Sequence, residues 1–240
     1  LFGLLDHSTV NPAMNARFFP NTGAEYWWTG NTRADDPARI WVVNAGGGIG
    51  PHPKTETISS GGVKKYHTRC VRGGRIPYGS FTVKSDSTVT DAVTGLTWQR
   101  FDAGDMNWED ALKYCESLNL EGRNDWRLPS IKELRSISND SLLKPSFDRT
   151  AFPDARSIRH WSSTTLVQNP VRAWFLDGEY GLTSYEDKTI WLAVRAVCGG
   201  TTVSPVDSGS AGNSAIPGMA FIPGGEFEMG DHHNFVDPSH

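Results

Sequence analysis

The sequence predicts an α+β fold, an antiparallel sheet with two short helices and long loops, and three observations carry that prediction. Hydrophobic periodicity switches along residues 79–200 from a hairpin pattern to two helical patterns and back to short strands. The chain of 240 residues holds 25 Gly, 14 Pro and 9 Trp, which suits short strands joined by tight turns around thin, indole-filled cores. The third observation is internal repetition: residues 1–48 align without a gap on 134–181.

The elements follow in order. Residues 80–101 read as two β-segments around a turn at Asp91–Gly95. Asn107 can cap a helix, with Asp110 in its first turn. Trp108, Ala111, Leu112, Cys115 and Leu118 then fall on one apolar stripe. Residues 124–129 form a loop. Ser130 and Glu133 have the spacing of a capping box, opening a second helix that ends near Ser138. From Trp161 onward, 173–177 and 190–198 read as strands.

The repeat has a constant offset of 133, carried by Leu1/Leu134, Phe19/Phe152, Trp28/Trp161, Arg39/Arg172, Trp41/Trp174 and Gly48/Gly181, among others. Arg69-Cys70-Val71 then aligns with Arg195-Ala196-Val197 at an offset of 126, so the first copy carries a seven-residue insertion. Four segments result: 1–78 as the C-terminal half of a first domain, 79–200 as a complete second domain, 201–217 as a Gly/Ser/Thr-rich linker, and 218–240 beginning a β-hairpin. The counterpart of 79–133 would precede residue 1. Residues 1–74 are therefore expected to pack against other chain segments or a neighbouring subunit, since an uncovered sheet face invites association. The hairpin at 218–230 is one candidate partner. Trp28 and Trp161 are expected to be buried at equivalent positions.

Three cysteines are present. Cys115 lies on the helix stripe and Cys198 in the last strand, and a bridge between them would close a loop of about 80 residues, adding about 4 kcal/mol. Cys70, left over, would be free or bonded outside the chain. The alternative is three free cysteines in a reducing compartment.

Several function classes are disfavoured. A net charge of −4 gives no reason to expect nucleic acid, and no apolar run approaches the roughly 20 residues of a membrane span. The glycine run Asn44–Gly50 follows a strand, but Pro51 and Pro53 forbid the helix a dinucleotide site requires. Asp231, His232, His233, Asp237 and His240 are metal-ligand types, yet adjacent histidines on an extended segment point opposite ways. No nucleophile–base arrangement emerges, so no enzymatic activity is expected.

The strings TVTDAVTGLTWQR, WEDALKYC and NDWRLPSIKEL, Phe152-Pro153 and WSST at 161–164 resemble the Lcl C-terminal-domain family of bacterial surface proteins. The tail GMAFIPGGEFEMGDHH is similar to the opening of the formylglycine-generating-enzyme family. Both families are related to the C-type lectin fold, so the resemblance implies tandem C-type-lectin-like domains and agrees with a helix-to-last-strand disulfide. That family usually places its cysteine as at Cys70, two positions earlier than Cys198. The resemblance implies a secreted or cell-surface protein for non-catalytic recognition and adhesion, with glycan or protein ligands and sulfated or anionic glycans among them. The rival expectation is a structural subunit of an extracellular surface assembly or filament.

Two residue sets are candidate ligand sites. Asp177, Glu179, Tyr180, Tyr185, Glu186 and Asp187 combine carboxylates with aromatic faces, as lectin sites do when they hold sugars, often through calcium. No cofactor is otherwise called for. Lys65, His67 and Arg69 alternate along a strand and could hold sulfate or carboxylate groups.

Overall fold

The computed structural model describes residues 1–10, 12–23, 26–55, 66–72, 78–85 and 87–200. The linker at 201–217, the hairpin and histidines of 218–240, and Lys65 lie outside the described residues. Leu1–Gly200 form one compact unit.

This unit is mainly β, with two short helices. It opens with a single 3-10 turn at Phe2–Leu4. An antiparallel sheet follows in the order β1 (Tyr26–Arg33), β2 (Asp36–Asn44), β3 (Ile49–Pro53). The glycine run is thus the turn between β2 and β3, and the prolines sit in a strand. Next come β4 (Phe81–Val83), β5 (Thr88–Asp91) and β6 (Leu96–Gln99). The β5–β6 turn is held by the Asp91 carboxylate, which accepts from the Val93 and Ser80 backbone N–H groups at 3.0 and 2.8 Å and from the Thr94 hydroxyl at 2.7 Å.

A short strand β7 (Asp105–Met106) leads into α1 (Trp108–Ser117). The Asn107 side chain accepts from the Asp110 N–H at 3.0 Å, satisfying one of the helix's open donors. The capping box of α2 (Ile131–Ser136) is complete: the Glu133 carboxylate accepts from the Ser130 N–H at 2.8 Å. Arg127 locks that carboxylate through two bonds of 2.8 and 2.6 Å.

The remaining strands are β8 (Arg159–Thr165), β9 (Arg172–Asp177), β10 (Thr183–Asp187), β11 (Leu192–Ala193) and β12 (Val197–Gly199). They divide between two further sheets, ordered β10-β9-β8-β11-β7 and β12-β6-β5-β4. Two expectations are corrected here. Among the described residues a single antiparallel sheet is replaced by three sheets, and β11 pairs with β8 in parallel. The single strand at 190–198 is two short strands that join different sheets. The chain switches sheets at Arg195, whose side chain is fully enclosed. Its guanidinium lies 2.5 Å from Asp102 and 3.0 Å from Asp154, and donates to the carbonyl of Gln99 at 2.9 Å.

Trp161 is fully buried, in a core with Ala111, Cys115 and Trp126, and its indole N–H donates to the Met106 carbonyl at 3.0 Å. Trp28 is only half-buried, contrary to expectation. Its ring meets Tyr66 at 4.1 Å, whereas α1 packs over β8, the strand that carries Trp161. Trp41, on β2, is sealed from within the same unit. It packs with Leu5, Met14 and Tyr180, and the Arg135 guanidinium sits 5.5 Å from its ring. Arg135 is paired in turn with buried Asp140, which also accepts from Asn31 at 2.7 Å and from the Tyr78 hydroxyl at 3.1 Å. Residues 1–55 are therefore joined to α2 and the following loop through a buried polar network.

The expected disulfide is absent. Cys115 and Cys198 are both buried free thiols, and Cys70 is a free, exposed one. Cys115 on α1 and Cys198 in β12, opposite Thr97 of β6, pack into one apolar core, each as a free thiol. Burial pushes the Cys115 thiol up to about 12 and the Cys198 thiol to about 11. Titration with Ellman's reagent is accordingly expected to count one reactive thiol in the native protein and three in denaturant. A total of one in denaturant would mean that the buried pair is bonded.

Candidate functional site

The sequence-derived carboxylates do not converge. Along β10, alternation sends Tyr185 and Glu186 to opposite faces. Glu186 pairs with Arg159 at 3.3 Å. The Asp187 carboxylate accepts from the Thr189 N–H at 3.0 Å and hydroxyl at 2.7 Å, which hold it below the usual aspartate range. Glu179 lies 3.3 Å from Lys144, and Tyr180 and Lys144 together hold it below the usual glutamate range. Tyr180 sits under the Arg33 guanidinium at 4.4 Å. Asp177 accepts from the Glu179 N–H at 2.7 Å. These are mostly separate local contacts, and among the described residues no group of three His, Cys, Asp or Glu side chains could hold a metal ion.

The basic set fares similarly. Arg69 is clamped between Phe19 at 4.6 Å and Trp27 at 4.9 Å and donates to the Thr22 hydroxyl at 2.9 Å. His67 is exposed and bridges to β1 through its backbone, its N–H donating to the Tyr26 carbonyl at 2.9 Å. Its ring lies 4.9 Å from that of Trp27.

Two concave sites open at β8–β10 and their neighbouring segments. The larger, about 540 Å³, is built from two distant stretches of chain: Asn44, Gly46 and Gly48 on one side, and Leu166, Gln168, Asn169, Arg172, Trp174, Thr183, Ser184 and Tyr185 on the other. Trp174 is its nearly buried floor. Tyr185 is 42% exposed, stands edge-on to Trp174 at 5.5 Å, and has the Arg172 guanidinium at 5.7 Å. No ion pair engages Arg172 among the described residues. The two walls are locked together. The Ile49 N–H donates to the Thr183 hydroxyl at 3.1 Å, and the His7 ring stands 5.2 Å from Trp174 while bonding the Gly47 carbonyl at 2.8 Å. Gly47 has φ +117° and lies so close that a Cβ would stand 2.7 Å from the Trp174 ring, so only glycine allows this approach. Burial lowers the His7 pKa and favours its neutral form.

The smaller site, about 410 Å³, lies where Arg159 and Asp177 face each other across β8 and β9. It is lined also by Asp105, Ser157, Ile158, Glu179, Trp191, Leu192 and Ala193. Of the sequence candidates, the larger site thus takes Tyr185 alone and the smaller takes Asp177 and Glu179. Sequence reasoning missed Gln168 and Asn169, in the turn before β9, and Arg172, the first residue of that strand. It also missed Trp191, which lies within a run read as a continuous strand.

Among the described residues, no helix is long and apolar enough to cross a membrane. No curated protein matches the chain. Residues 87–198, running from just before β5 to Cys198 in β12, match the model of the Lcl C-terminal domain family.

Proposed function

We propose that this chain is a non-catalytic extracellular recognition module carrying one partial and one complete C-type-lectin-like repeat, and that the cleft floored by Trp174 binds glycans. The observation that carries the ligand reading is the exposed Arg172 guanidinium beside the exposed Tyr185 ring, rimmed by the amides of Asn44, Gln168 and Asn169. An aromatic face covers the apolar side of a sugar ring, amides match its hydroxyls, and a guanidinium without an ion pair selects sulfate or carboxylate. The extracellular placement follows the family resemblance.

Recurring contacts support the repeat. The parallel bridge between Trp27 and His67 recurs between His160 and Ala193, at offsets of 133 and 126. Arg69 lies over Phe19 at 4.6 Å, and its counterpart Arg195 lies over Phe152 at 4.8 Å. Four positions of one core, Leu134, Phe147, Phe152 and Leu176, map by the same offset onto Leu1, Met14, Phe19 and Val43 of another.

Calorimetric titration with a heparin-derived octasaccharide and its desulfated form tests the ligand reading. Binding of the sulfated form is expected, with Arg172→Ala weakening it about tenfold through loss of a charge-assisted contact. Tyr185→Ala is expected to weaken both forms. Both side chains are exposed, so the variants should keep the native circular dichroism spectrum. Unchanged affinity in Arg172→Ala would refute the assignment.

A further inference from the structure

We propose that the smaller site, at the Arg159–Asp177 end of the five-stranded sheet, is a second docking surface that takes a lysine or arginine side chain of a protein partner. Trp191 is 65% exposed at its rim, and its ring meets no aromatic or cationic group among the described residues. A bare indole beside a pocket is unusual for a large apolar side chain, and its face attracts cations.

The charge of the pocket fits the same ligand. Asp105 is matched by Arg156 at 3.4 Å and Glu179 by Lys144 at 3.3 Å. Asp177 has no such match. Arg159, its cross-strand neighbour, is turned instead to Glu186 at 3.3 Å and to the Phe175 ring at 4.9 Å. Among the described residues Asp177 receives only the Glu179 N–H. A cation entering between Asp177 and Trp191 would complete an ion pair and a cation–π contact at once. Ile190, next to Trp191 in sequence and 45% exposed, adds apolar surface that a small amine would leave uncovered, which points to a polypeptide as the source of the cation.

The probe is the peptide N-acetyl-Lys-Lys-Lys-amide, titrated into ¹⁵N-labelled protein while the Trp191 indole N–H resonance, assigned with Trp191→Phe, is followed. A saturable shift is expected. Asp177→Asn, which keeps the acceptor for the Glu179 N–H, should weaken binding about fivefold, and Trp191→Ala by a similar factor. Arg172→Ala should bind the peptide as the unaltered protein does, so the two sites stand or fall separately. The proposal is overturned if the peptide leaves the Trp191 signal in place. It is equally overturned if the Nζ-acetylated peptide or spermidine binds as well, or if Asp177→Asn binds unchanged.

Discussion

Asp102→Asn is expected to destabilise the protein by about 3–5 kcal/mol, the usual result of stripping one partner from a buried ion pair. The Asp102 carboxylate is almost fully enclosed, 2.5 Å from the Arg195 guanidinium and 3.3 Å from the His160 ring nitrogen. An asparagine there would leave the enclosed Arg195 with only Asp154 and two backbone carbonyls to offset its charge. For a unit of this size the loss corresponds to a fall in Tm on the order of 10 °C. The same network sets a pH dependence. Burial pushes the Asp102 carboxyl up, but the His160 hydrogen bond and the Arg195 charge outweigh it, and the group ends below its ordinary value. A depressed pKa means that the folded state binds this proton less readily than the unfolded chain does. The contribution is therefore full above the usual aspartate range near pH 4 and is lost as pH falls through and below it. Urea unfolding at pH 7 and pH 3 should show the gap between the natural protein and Asp102→Asn shrinking at the lower pH. A gap of the same size at both would mean that the carboxylate charge is not what the fold uses.

Trp161→Ala should cost about 3–5 kcal/mol, and Trp28→Ala clearly less than half as much. The two residues align in sequence at the offset of 133, so composition and spacing cannot rank them. Their surroundings can. Trp161 is closed in by α1 and by Trp126 and bonds the Met106 carbonyl, so removing it leaves a cavity and an unpaired acceptor. Trp28 is half-buried against Tyr66, and water can fill the space it vacates. Equal losses measured by denaturant unfolding would show that Trp28 is covered as fully as Trp161.

What the sequence by itself determined about this protein is local. The Asn107 cap, the Ser130–Glu133 box and the Asp91 turn each involve bonds between residues no more than three positions apart along a helix or turn, so spacing alone defines them. The strands of the offset-133 stretch were legible for a similar reason, because each keeps its apolar period. The tertiary structure decided the rest. It divided 190–198 between two sheets by burying Arg195 against Asp102 and Asp154, residues far away in sequence. It left Cys115 and Cys198 as free thiols within one apolar core. It brought Asn44 to Arg172 across a cleft held by one bond from Ile49 to Thr183. It also gave neighbouring carboxylates of β10 and its flanks separate partners, Arg159 for Glu186, Lys144 for Glu179 and Thr189 for Asp187. The physical reason is common to all four. A buried charge or a packed indole is stabilised by whatever group the fold carries to it, and pair energies of this kind depend on distance in space, which spacing along the chain does not encode.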